Sequence, residues 1–287
     1  MDFVRLLSPR ELADALGVSE SSLKRWVDAG KIVAARTEGG HRKITLPEAV
    51  RFIRETGAPV ARPELLDMPE VAVAQARAIS RDTLFDTLIG GDATGARGWL
   101  LARYLGGTSI AELCDGPVRE AMHRLGELWR HDSDGIFIEH RATDTCLQAL
   151  AHFRNMLDAP ADAPLAMGAT PEDDPYLLPS FMAATVVAES GMRAVNLGPD
   201  TPVGAMQQAF VRHQPRLVWI SASAPLAPAR ARELARWVTS LPAPTTTVVG
   251  GRAGATIATA QPGVRRIDTM VELAAVVAGI VGAHRAA

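Results

Sequence analysis

Six side chains within the first 45 residues have the types and spacing that nucleic acid demands. Ser21, Ser22, Lys24 and Arg25 share the outward positions of one predicted helix, where hydroxyls and cations suit phosphates and base edges. His41 and Arg42 follow a Gly39-Gly40 tip that would hold them against a neighbouring phosphate or groove. Rigid elements must present these groups. Ser8-Pro9-Arg10-Glu11 is a capping box with Pro at the first helical position, which predicts a helix from Pro9 with Leu12, Ala13 and Leu16 inward and Gly17 as its stop. Ser19 caps a second helix to about Ala29, with Leu23, Trp26 and Val27 inward. Two short helices joined by a Gly-containing turn form a helix-turn-helix, whose second helix enters the major groove. Residues 32–45 predict a two-stranded wing, and Pro47 opens a third helix, Glu48 to about Glu55, that completes a DNA-binding unit of residues 1–55. A partnerless surface hairpin is the competing account. Cap, turn, basic helix and wing occurring in that order argue against it.

Composition bounds the rest. A length of 287 residues fits two or three domains, and a hydrophobic fraction of 47% is enough for buried cores. Net charge is −2, and residues 1–60 hold ten Lys/Arg against eight Asp/Glu. Counterion release from so weakly basic a head gives little non-specific affinity, so a dimer or tetramer on repeated half-sites is expected. There is no signal-peptide pattern and no apolar run long enough to span a bilayer, so a reducing cytoplasm is the expected home and no membrane partner is expected. Cys114 and Cys146 fall on core-facing helix positions, where packing is the simplest role and a redox sensor the alternative.

Beyond the head, residues 56–69 carry three prolines and read as a linker. Residues 70–157 show helical periodicity through Leu84 and Leu88, then Leu100, Leu101 and Tyr104, then Val118, Met122, Leu125 and Trp129, then Thr143, Leu147 and Leu150. These predict a four-helix bundle. From residue 163 strands and helices alternate, with strands expected at 165–169, 194–197, 217–221, 246–249 and 264–267. Strict alternation with β-branched strands predicts a parallel, flavodoxin-like (Rossmann-like) α/β sheet over 163–287.

In such a sheet ligands bind beyond the carboxyl ends of the strands. The loops there are the acidic stretch 170–176, which holds Asp174 and Tyr176, the hydroxyl-bearing Ser221-Ala222-Ser223, and Gly250-Gly251-Arg252, where backbone can approach a flat ligand closely. Each signal is weak alone, and their coincidence on one edge predicts a pocket. In the bundle, Trp129 is followed after nine residues by Glu139-His140, which could line one cavity with the indole as a stacking wall. On spacing alone an ordinary core Trp with a surface Glu and His is the better account. No CxxC, no HxxxH and no nucleophile beside a base is present, so neither a metal site nor catalysis is expected.

Helix-turn-helix, Arg25-Trp26 and a Gly-Gly-His-Arg wing resemble the N-terminal domain of MerR-type transcription regulators. The three-part order with W-x9-E-H resembles the CarH/LitR-type photoreceptor repressors, which carry an adenosylcobalamin-binding module. By that resemblance Trp129 and Glu139, with His140 beside them, would face the upper side of the corrin, and Ser221, Ser223, Gly250 and Gly251 would lie near its nucleotide tail. The family's cobalt-ligating His and its acidic neighbour would fall on Tyr176 and Asp174, so the cobalt anchor is replaced by a phenol. The residue after Trp129 is Arg130, where the photoreceptors place a second His.

The sequence therefore predicts a non-enzymatic, DNA-binding regulator, with repression as the expected sense. Its sensory half would take cobalamin without His ligation, another tetrapyrrole, or no cofactor at all, with light as a further possible input. The alternative is a regulator independent of cobalamin and controlled by a protein partner such as an antirepressor. A corrinoid methyltransferase-type protein is the remaining class.

Overall fold

The computed structural model describes residues 5–37, 39–77, 84–128, 135–258 and 264–286. They form two compact units, residues 1–109 with 116–157, and residues 110–115 with 158–287.

The first unit opens with β1 (Leu6–Leu7), α1 (Pro9–Leu16) and α2 (Glu20–Asp28). The expected capping box is present: Glu11 N–H donates to Ser8 Oγ at 3.2 Å, and Ser8 N–H to Glu11 Oε2 at 2.7 Å. Ser19 caps α2 in the same way through the Ser22 N–H. The wing is β2 (Ala35–Arg36) and β3 (Arg42–Thr45), and β1 pairs with the far side of β3 to make a small antiparallel sheet. A strand of two residues gives no periodic signal, which is why β1 was not expected. Helix α3 (Leu46–Thr56) packs Phe52 against Trp26 of α2, ring centroids 5.2 Å apart, and so fixes the pitch of the second helix.

The segment 56–69, read as a linker, is folded. Ala61 and Arg62 donate backbone N–H bonds to Ala15 O, residues Pro63–Leu66 form a 3-10 turn, and Pro63, Leu66 and Met68 are buried. Two of its prolines, Pro63 and Pro69, open helical turns, and its apolar side chains have a surface to cover.

Helices α4 (Pro69–Arg77), α5 (Leu84–Ile89) and α6 (Ala93–Leu105) follow. The chain then leaves this unit for residues 110–115, which carry α7 (Ile110–Leu113), and returns to it through a π-helical turn, Cys114–Val118. It continues as α8 (Arg119–Leu128) and α9 (Gly135–Asn155). Helices α5, α6, α8 and α9 are the four that periodicity predicts. Helix α4 is a fifth, and its small residues (Val-Ala-Val-Ala) carry little apolar period.

The second unit is a five-stranded parallel sheet: β4 (Leu165–Ala169), β5 (Arg193–Asn196), β6 (Leu217–Ser221), β7 (Thr246–Gly250) and β8 (Val264–Arg266). Their spatial order is β5-β4-β6-β7-β8, the flavodoxin-like arrangement. Helices α10 (Leu177–Glu189), α11 (Val203–His213), α12 (Pro228–Ser240), α13 (Gly254–Ala258) and α14 (Met270–Ala286) return the chain between strands and close it. Val218, Ile220 and Val249 pack with Met206, Leu234, Trp237 and Ile257 on one face. On the other, the Trp219 indole lies flat on Gly168, where any Cβ would stand 2.1 Å from the ring, and its Nε1–H donates to Ser180 Oγ of α10 at 3.2 Å. Helix α7 packs against α10 and α14 of this unit.

Candidate functional site

Of the six head residues, Ser21, Lys24, Arg25 and His41 are exposed, and Ser22 and Arg42 are half-buried. The α2 hydroxyls are mutually bonded: Ser19 Oγ lies 3.0 Å from Ser21 Oγ and 2.9 Å from Ser22 Oγ, and Arg25 donates to Ser22 Oγ at 3.1 Å. Lys24 pairs with Glu20 one turn back at 2.7 Å. Arg42 reaches Asp28, so its guanidinium ties the wing to the end of α2. Arg36 stands opposite Arg42 in the hairpin register and is exposed. Sequence reading passed over it because that register is invisible until the hairpin is known. Beneath the wing, burial pushes the Glu48 carboxyl up, but the Arg51 guanidinium and the Val33 N–H outweigh this and hold it below the ordinary carboxylate value.

In the bundle, Glu139 accepts a bond from Thr143 Oγ1 at 2.9 Å, and exposed His140 stands 3.6 Å from it. One turn earlier, Ile136 and Phe137 are 49% and 63% exposed, and the Arg141 guanidinium lies 5.0 Å from the Phe137 ring. This apolar pair beside Glu139 was not singled out from sequence, although two large apolar residues after a helix-opening glycine were its signal. Trp129 and Arg130 lie outside the described residues. Cys146 is buried, and desolvation pushes its thiol up to about 12, which leaves it a packing group.

At the sheet, loops 170–176, 221–227 and 250–253 do share the carboxyl edge, since they follow β4, β6 and β7 of one parallel sheet. Their polar groups, however, face one another. Asp174 has no exposed surface; its Oδ2 accepts the Ser223 and Ala224 N–H groups at 2.5 and 2.8 Å, and its Oδ1 accepts the Tyr176 N–H at 3.1 Å. Gly251 adopts φ 88°, and a Cβ there would meet the Ala222 carbonyl oxygen at 2.2 Å. Ala222 and Ala253 complete the seam with backbone bonds to Gly250 O and Ala222 O. Ser221 is buried at the strand end, Gly250 has room for a Cβ, and Ser223 is half-buried. Tyr176 is 45% exposed, with Arg252 5.7 Å from its ring.

These residues do not fit a cobalt bound through the protein. The histidines of the second unit are His213 and His284, on the last turns of α11 and α14. Helices that follow strands in a parallel sheet run back to its amino edge, and His284 there contacts Asp162 O, ahead of β4. The phenol of Tyr176 offers no imidazole nitrogen. Among the described residues no group of three His, Cys, Asp or Glu side chains could hold a metal ion, and no helix is long and apolar enough to cross a membrane.

Residues 6–55 match the family described as a helix-turn-helix domain, and residues 80–154 the family described as a B12 binding domain. A comparison with curated proteins finds no match. Among solved structures the chain is similar to the monomethylamine corrinoid protein of Methanosarcina barkeri, at 15% identity and a TM-score of 0.53, covering 71% of this chain and 99% of that one. It is also similar to a cobalamin-binding protein from Desulfitobacterium hafniense, at 19% identity and a TM-score of 0.35, covering 67% and 94%. The first likeness shows the fold, and the chain carries a DNA-binding helix-turn-helix ahead of a B12-binding-type helical region.

Proposed function

We propose that the chain is a MerR-type transcription regulator, acting as a repressor and not as an enzyme, whose bundle and α/β sheet form its sensory half. The observation that carries this reading is that a recognition helix with an outward basic face shares one compact unit with the helical region of B12-binding type. Arg25 would read base edges from α2, while Lys24, Ser21, His41 and Arg42 would set phosphate register. Two or four copies on repeated half-sites would supply the affinity that a head of near-neutral charge lacks.

The input is a corrinoid or another flat tetrapyrrole, gripped without a protein bond to its metal. Ile136, Phe137 and Glu139 offer one wall, apolar with a single carboxylate. A gel shift on the chain's own promoter, in the dark and after illumination, tests DNA binding and the part played by light. Calorimetry and absorbance with adenosylcobalamin, on wild type and Tyr176→His, test the ligand. Weak wild-type binding, strengthened about tenfold or more by the imidazole, is expected. Tight wild-type binding with a spectrum of protein nitrogen ligation would overturn the reading of the sheet edge. No shift of promoter DNA even at low salt would overturn the regulator. If neither protein binds adenosylcobalamin, the corrinoid reading falls and a different ligand or an antirepressor-like protein partner takes its place.

A further inference from the structure

One side chain of the DNA-binding head is spent on the bundle. Arg54, in the last turn of α3, donates from Nη1 to the carbonyl oxygens of Tyr104 and Thr108, the latter at 2.9 Å. Its guanidinium also lies 3.8 Å from the centre of the Tyr104 ring. Tyr104 O, in the last turn of α6, also accepts the Gly107 N–H at 3.0 Å, and a cation there meets the negative end of the helix dipole. The Tyr104 ring in turn packs on Phe153 of α9 at 5.0 Å. Two residues before Arg54, Phe52 of α3 packs on Trp26 of α2.

The gripped turn is also the exit from this unit. Two residues beyond Thr108 the chain enters 110–115, which belong to the α/β unit. That stretch is pinned at both ends: Ile110 N–H donates to Glu189 Oε2 at 2.8 Å, and the two Asp115 oxygens accept the Met270 and Val271 N–H groups at 2.8 and 2.9 Å, capping α14. Ile110, Ala111, Leu113 and Cys114 are buried.

We propose that Arg54 is the joint through which the state of the α/β unit reaches the recognition helix, by holding the turn 104–108 from which the 110–115 stretch departs. A shift of α10 or α14 pulls on a pinned segment, and the segment pulls on carbonyls that α3 holds. Arg54 is thus a positioning residue, not a DNA contact. This inference rests on the reading of head and sensory half as parts of one regulator.

Hydrogen exchange of the full-length chain, without DNA or ligand, tests it. Asp115→Ala removes the α14 cap inside the α/β unit, and should speed exchange in α2 and α3 by about threefold or more. In the Arg54→Gln background the same change should add almost nothing, since the joint is already cut. Exchange in β6 shows whether the α/β unit is still folded, and Asp115→Asn, which keeps one acceptor, replaces the alanine variant if it is not. Unchanged exchange in α2 and α3 in the Asp115 variants, or an equal increase with and without Arg54, overturns the proposal. A gel shift with the wild type separates the two levels: DNA bound by a chain whose α2 and α3 ignore the Asp115 variants sinks the joint alone, whereas no DNA binding by the wild type sinks the regulator.

Discussion

The recognition helix and the carboxyl edge of the sheet are built from the same vocabulary of serines, glycines and charged residues, and turn it in opposite directions. On α2 the caps are satisfied locally, by Ser19 and Ser22 within one turn, so Lys24 and Arg25 remain on the surface with only surface partners. At the sheet edge the satisfaction is long-range: Asp174 serves N–H groups 49 and 50 residues away, and Gly251 exists for the Ala222 carbonyl. A polar residue in a helix is pointed by the helical period. In a loop it is pointed by whichever orphaned backbone group lies within reach. The first can be read from spacing, the second cannot.

Four substitutions break or sharpen this contrast. Asp174→Ala should be the most damaging, leaving one buried and two part-buried N–H groups unpartnered and costing the α/β unit about 3 kcal/mol in urea denaturation. A small stability loss with a large loss of ligand affinity would instead put that carboxylate against the ligand. Gly251→Ala should cost about 2 kcal/mol by the same assay, from positive φ and from the clash with Ala222. If it folds normally and only ligand binding suffers, the seam is a cradle. Arg25→Ala should behave in the opposite way, weakening operator binding by about 1–3 kcal/mol and relaxing specificity at one base, with the melting temperature unchanged. Loss of stability there would make Arg25 a structural group.

The smallest effect concerns Glu48. Its folded carboxyl sits below the usual 4.5, so it contributes stability above the unfolded value that is lost as pH falls through the folded one. Glu48→Gln should therefore lower the stability of the head by under about 1 kcal/mol at neutral pH, the gap from wild type closing in acid as the folded carboxyl takes up its proton. A gap that persists in acid would mean that shape, not charge, holds the wing.

What was legible follows the same division. Ser8, Pro9 and Glu11 announce α1, Ser19 announces α2, and the alternation after residue 163 gives both the parallel sheet and the edge on which its loops meet. These are short-range or periodic signals. The folded 56–69 segment, the allegiance of 110–115 and the inward turn of Asp174 depend on partners far along the chain, and local composition does not carry them. The neighbourhood of Glu139 lies between: its helix was expected, but the exposure of Ile136 and Phe137 is decided by what the rest of the bundle leaves uncovered.

The split membership of residues 110–115 sets where the gene can be cut. A fragment beginning at residue 158 keeps every strand of the sheet, yet it loses the carboxylate at the head of α14 and the four buried side chains that sit over α10 and α14. The α/β unit is thus contiguous in space and interrupted in sequence. Its smallest self-sufficient form carries a six-residue graft from the middle of its neighbour, and any chimera that exchanges sensory halves must move that graft with it.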